Sequence, residues 1–125
     1  MSAAKKVLIA EDSSVIQNLT KKILIIQNYQ ISSAKNGEEV IKALNDTDFD
    51  VILMDINMPK MDGMECAKQI RAMDNPEKSS TPIIAITGNA KNYSMDDFTA
   101  VGINEYIPKP INFDDLVKAV KKYTS

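Results

Sequence analysis

Val51-Ile52-Leu53-Met54, followed at once by Asp55, is the stretch on which the fold turns. Residues 51–54 are apolar at every position, whereas a strand with one wet face alternates apolar with polar. A short unbroken apolar run reads as a parallel strand covered on both faces. Two further runs have the same character, Val7-Leu8-Ile9-Ala10 and Ile83-Ile84-Ala85-Ile86. Weaker candidates are Ile31 to Ala34 and the short Glu105-Tyr106-Ile107.

Between these runs lie longer amphipathic stretches. Ser13 can cap a helix carrying Ile16, Leu19, Ile23 and Ile26 on its inward face. Gly37 precedes a short helix with Val40, Ile41 and Leu44 inward, and Asp62-Gly63 opens a third with Met64, Ala67 and Ile70. A weaker fourth runs from about Asn92 to Val101 and ends at Gly102, and Asn112 can cap a last helix carrying Leu116, Val117 and Val120. Five strand–helix units in 125 residues predict one α/β domain over 1–125, an open five-stranded parallel sheet with helices on both faces.

Composition narrows the function classes. The apolar runs are far shorter than the ~20 residues that cross a bilayer, and MSAAKK has no signal-like stretch, so a cytoplasmic location without membrane insertion is expected. A lone cysteine, Cys66, fits a reducing compartment and reads as a small apolar residue. A net charge of −2 argues against direct nucleic-acid binding. The chain contains no histidine, which removes histidine triads, the usual zinc sites and self-phosphorylation on histidine.

In open parallel sheets chemistry gathers beyond the carboxyl ends of the strands. Glu11 and Asp12 follow the first strand, Asp55 the third, Thr87 closes the fourth, and Lys109-Pro110 follows the fifth. Singly, each has an ordinary reading as a turn, cap or solvated charge. Together, three carboxylates converging on one rim would repel one another and raise each other's pKa values unless a divalent cation sits among them. An all-oxygen set suits Mg²⁺, with Mn²⁺ as its substitute. Asp55 is then the nucleophile for a phosphoryl group, with Lys109 and Thr87 stabilising the transferring oxygens.

At these residues the sequence resembles the receiver domains of two-component response regulators, of the chemotaxis-regulator type. The resemblance is carried by VLIAEDS (7–13), DVILMDINMPKMDGMECAKQIR (50–71), TPIIAITGNA (81–90) and EYIPKPI (105–111). It implies a flavodoxin-like, doubly wound (βα)5 sheet in the order 2-1-3-4-5, and Asp55 as phospho-acceptor. It further implies that Asp12, Asp55 and the backbone carbonyl of Asn57 hold the Mg²⁺, with Glu11 acting on it mainly through a bound water. Lys109 would bind the phosphate, its bond to Pro110 often being cis. Thr87 and Tyr106 would move on phosphorylation, switching a face built from the fourth helix, fifth strand and last helix. Asn57 and Asn89 stand where the family tunes phosphate lifetime.

The donor implied is a histidine kinase or a histidine phosphotransfer protein, and the target an unknown downstream protein. A monomer is expected, or a dimer on phosphorylation, in a stand-alone regulator or phosphorelay intermediate that is not an enzyme beyond its own phosphotransfer and dephosphorylation. A receiver cut from a hybrid histidine kinase is the main alternative. An aspartyl phosphatase of the haloacid-dehalogenase type would need a second aspartate at position 57, where Asn57 stands. A nucleotide- or flavin-binding domain would need a glycine-rich loop, where Ala10-Glu11-Asp12-Ser13 stands.

Overall fold

Five parallel strands form one sheet: β1 (Lys6–Ala10), β2 (Gln30–Ala34), β3 (Val51–Asp55), β4 (Ile83–Thr87) and β5 (Glu105–Pro108), in the order β2-β1-β3-β4-β5. The computed structural model describes residues 4–88 and 93–125. Its helices are α1 (Ser14–Ile26), α2 (Gly37–Asp46), α3 (Gly63–Arg71), the four-residue α4 (Pro76–Ser79), α5 (Met95–Ala100) and α6 (Phe113–Thr124).

The reason the central strands are apolar throughout is visible in how their side chains divide. Leu8 and Ala10, Ile52 and Met54, and Ile83 and Ala85 belong to one buried cluster, beneath α2, α3 and α5. Val7 and Ile9, Val51 and Leu53, and Ile84 and Ile86 belong to a second, beneath α1 and α6. Successive side chains point to opposite faces, so a strand covered twice must be apolar at both parities. Each large side chain so buried contributes about 1.5–3 kcal/mol. At the opposite end of β3 the polar contacts resume: Asp50 N–H donates to the Lys6 carbonyl at 2.8 Å, and Lys6 N–H donates to the Asp50 carboxylate at 2.8 Å.

Most helix starts follow the expected caps. The side chains of Ser13, Asp62 and Asn112 each accept a backbone N–H from the first turn of α1, α3 and α6. Asn36, one residue before Gly37, caps α2 through Glu39 N–H. The expected fourth helix is α5, opened by a reciprocal capping box between Ser94 and Asp97. Asn92, its expected start, lies outside the described residues. Gly102, at φ +86°, ends the α5 turn in a conformation that favours glycine.

Two departures are informative. The inward face of α1 is rotated from the expected one: Gln17, Thr20 and Leu24 are buried and Ile16 and Ile23 half-buried, while Leu19 is 46% and Ile26 76% exposed. The buried polar side chains find their own partners on the backbone: Gln17 donates to the carbonyls of Glu11 and Ala34, and the Thr20 hydroxyl to the carbonyl of Ile16 one turn back. The second departure is α4, which begins with Asn75 as cap and Pro76 in its first position. Arg71, at the end of α3, donates to the carbonyls of Ser79, Thr81 and Gly102, tying α4, β4 and the turn before β5 together.

Candidate functional site

The parallel register brings the strand ends level. Ala10 pairs with Met54, Asp55 with Ile86, and Thr87 with Pro108, so the residues that follow or close these strands meet on one rim. Asp55 is the last residue of β3 and only 2% exposed. Glu11, one residue past β1, is buried, and Asp12 is exposed. A carboxylate oxygen from each of Glu11, Asp12 and Asp55 lies within 4.8 Å of the others. Lys109 reaches the same point from beyond β5, its Nζ 3.2 Å from Asp55 Oδ2 and 3.7 Å from Glu11 Oε1.

Backbone groups aim these side chains. Asn57 N–H donates to Asp55 Oδ1 at 3.1 Å, and Ser13 N–H donates to Glu11 Oε2 at 3.1 Å. Lys109 N–H donates to the Thr87 carbonyl at 2.8 Å, and the Lys109–Pro110 peptide is cis. Gly63 is required here: a Cβ would come within 2.7 Å of the Asp55 carbonyl oxygen and 2.9 Å of Ile56 Cα. The chain can therefore leave Asp55, loop out through Lys60 at φ +67°, and fold back under the site into α3.

The electrostatics follow from three acids and one ammonium. Burial, and then a hydrogen bond with Asp55, push the Glu11 carboxyl up to about 7, while Ser13 N–H and Lys109 oppose the rise. Three carboxylates against one lysine leave an excess of negative charge at a buried rim, and their donor atoms are all oxygen. That set fits a hard divalent cation, which would offset the repulsion and coordinate oxygen.

Thr87 closes β4 and is fully buried. Tyr106, on β5, is 37% exposed and stacks on the buried Phe98 of α5, with ring centroids 5.2 Å apart. The Tyr93 ring also meets Phe98, tilted, with centroids 5.6 Å apart, extending the aromatic contact toward the start of α5. Asn57 adjoins Asp55, whereas Asn89 lies outside the described residues. The contribution of Gln17 was hidden, because a glutamine on an amphipathic helix reads as a surface residue. Its Nε2 donates to the carbonyls of Glu11 and Ala34.

A five-stranded parallel sheet in this order, with acids and a lysine gathered at the carboxyl ends of its strands, defines an open doubly wound α/β domain with its candidate site where such folds place theirs. A family model described as "Response regulator receiver domain" matches residues 7–121, and the chain belongs to that family. Among solved structures it is similar to the receiver domain of the sensor histidine kinase PA1611 from Pseudomonas aeruginosa PAO1, which has a magnesium ion coordinated in its active-site cleft. The two are 28% identical, with a TM-score of 0.87 over 98% of each chain. It is also similar to the chemotaxis response regulator CheY4 of Vibrio cholerae, at 30% identity and a TM-score of 0.87 over 96% of this chain and 98% of that one. Hybrid signal transduction histidine kinase I of Dictyostelium discoideum is 35% identical over 86% of this chain, which spans only 6% of that protein. No helix among the described residues is long and apolar enough to cross a membrane.

Proposed function

We propose that Asp55 accepts a phosphoryl group from a phosphohistidine of a partner, a histidine kinase or histidine phosphotransfer protein. A carboxylate oxygen of Asp55 attacks phosphorus, the phosphorus–nitrogen bond breaks, and the imidazole keeps the electron pair and takes up a proton. The product is an acyl phosphate on Asp55. The observation that carries this reading is the convergence of Glu11, Asp12 and Asp55 within 4.8 Å, with Lys109 3.2 Å from Asp55, in a chain of the receiver family. The donor comes from outside these 125 residues, which contain no histidine.

Mg²⁺, or Mn²⁺ in its place, would be held by Glu11, Asp12, Asp55 and the Asn57 carbonyl. When bound, the ion supplies positive charge against which phosphoryl oxygens are stabilised. Lys109 orients the incoming group and neutralises one of its oxygens, and the Thr87 hydroxyl donates to another. The added charge, roughly −1.5 to −2, draws Thr87 and Lys109 inward. Tyr106 follows, altering the face of α5, β5 and α6. A groove of about 370 Å³ lies on that face, lined in part by Tyr106, Pro108, Asp115 and Lys118. The downstream protein binds there, and the domain acts in the cytoplasm as a monomer or pairs once phosphorylated. Asn57 and Asn89 set how long the phosphate lasts. The domain modifies only itself, and is not an enzyme with an external substrate.

Acetyl phosphate with Mg²⁺ is expected to add one hydroxylamine-sensitive phosphate, seen by intact mass, and Asp55→Asn to abolish it. Single-site labelling that persists in Asp55→Asn would sink the assignment. A receiver within a hybrid kinase shares all of this chemistry, and similarity to such receivers supports it equally with a free-standing regulator. The length of the native open reading frame separates the two.

A further inference from the structure

Glu11 is the first residue beyond β1, and both of its backbone polar groups are tied down. Its N–H donates to the Ala34 carbonyl at 3.0 Å. Its carbonyl accepts from Gln17 Nε2 at 3.1 Å, and the same Nε2 donates to the Ala34 carbonyl at 3.0 Å. The three groups close a ring linking the ends of β1 and β2 to α1. Gln17 is buried, and its backbone N–H is held by the Ser13 carbonyl at 2.9 Å, so the side chain starts from a fixed point in the first turn of α1.

This ring bears on chemistry because Asp12 is the next residue in the chain. No hydrogen bond or ion pair to the Asp12 side chain is found among the described residues, and that side chain is exposed. Its carboxylate nevertheless lies within 4.8 Å of those of Glu11 and Asp55. The direction of Asp12 is therefore set by the backbone that precedes it, and that backbone is held by Gln17.

We propose that Gln17 is a positioning residue for the cation, clamping the turn after β1 so that Glu11 and Asp12 stay beside Asp55. The inference rests on the reading of the three carboxylates as a divalent-cation site. Groups one shell out from a metal typically change its affinity 10–100-fold when lost. Methionine matches glutamine in length but offers no donor, so Gln17→Met removes the clamp and keeps the bulk.

The test is titration of the phosphate-free protein with Mg²⁺ by calorimetry, together with hydrogen exchange of the Glu11 amide before metal is added. Gln17→Met is expected to weaken Mg²⁺ binding about tenfold or more and to speed exchange at Glu11. Thr124→Val, which loses a buried hydroxyl bonded to Val120 and Tyr29, is the control: it lowers stability and leaves Mg²⁺ affinity unchanged. Equal Mg²⁺ affinity in Gln17→Met and wild type overturns the proposal while leaving the cation site standing. A wild-type protein that takes up no Mg²⁺ overturns the cation reading itself, and the proposal with it.

If Gln17→Met does not fold, Gln17→Asn, one methylene too short to reach both carbonyls, is expected to show the same weakening. If neither folds, the wild-type side-chain amide signals of Gln17 are followed by NMR as Mg²⁺ is added. They are expected to shift together with the Glu11 amide, and signals unmoved at saturating Mg²⁺ overturn the proposal.

Discussion

Burial first, and then the neighbouring Asp55, favour the protonated form of Glu11. Its carboxyl sits at about 7 rather than the ordinary 4.5, so the native state holds this proton more tightly than the unfolded chain does. The associated stability is fully present below about 4.5 and is lost as the pH rises toward 7. Metal-free protein is therefore expected to show a urea midpoint that falls between those values, and Glu11→Gln to flatten the fall. A midpoint that rises through this window, or a slope unchanged in Glu11→Gln, contradicts the assignment. Mg²⁺ prefers the charged carboxylate and is expected to restore the midpoint near neutrality. At this scale the site was legible, because Glu11, Asp12, Asp55, Thr87 and Lys109 each stand at a strand end that the apolar runs mark out. The raised pKa of Glu11 was not legible, since it depends first on burial and then on the closeness of Asp55, which no spacing reveals.

The loop from β3 into α3 shows how tightly elements are fitted around Asp55. A Cβ on Gly63 would strike the Asp55 carbonyl and Ile56 Cα, both backbone atoms that cannot swing aside. Gly63→Ala is expected to cost about 1–3 kcal/mol, as overpacking generally does, and to slow phosphorylation by acetyl phosphate because the end of β3 must move. Denaturant melts and labelling rates check both, and an unaltered labelling rate would show that β3 absorbs the change elsewhere. Element types were readable from periodicity, and caps from Ser13, Asp62 and Asn112. The rotation of α1 was not, because its apolar residues outnumber the places available to them. Val15, Leu19 and Ile26 stay exposed, while Gln17 and Thr20 go inside with their side chains bonded to backbone carbonyls. The signal for α4 was present in Asn75-Pro76 and needed only the rule that proline favours a first helical position.

For the molecule as a whole, two separate cores flank one sheet, and Cys66 lies in the core beneath α2, α3 and α5. Burial, with some help from the charge of Asp62, pushes its thiol up to about 12, so little thiolate forms near neutrality. Alkylation of Cys66 is expected to be negligible in native buffer and to appear at the denaturant concentration that melts the sheet. Rapid labelling without denaturant would show that α3 opens by itself. The sheet order was legible only through the resemblance, since periodicity counts strands without saying which ones are neighbours.

The double coverage of the sheet has one more consequence. A strand with a single wet face carries a code in its polarity, and a slip of one residue is punished because every side chain lands on the wrong side. β3 carries no such code between Val51 and Met54, where either parity is equally greasy. Its frame is marked instead by punctuation, Asp50 latched to Lys6 at one end and Asp55 latched to Lys109 at the other. Asp55, the proposed acceptor, thereby also acts as the full stop that keeps its own strand in place.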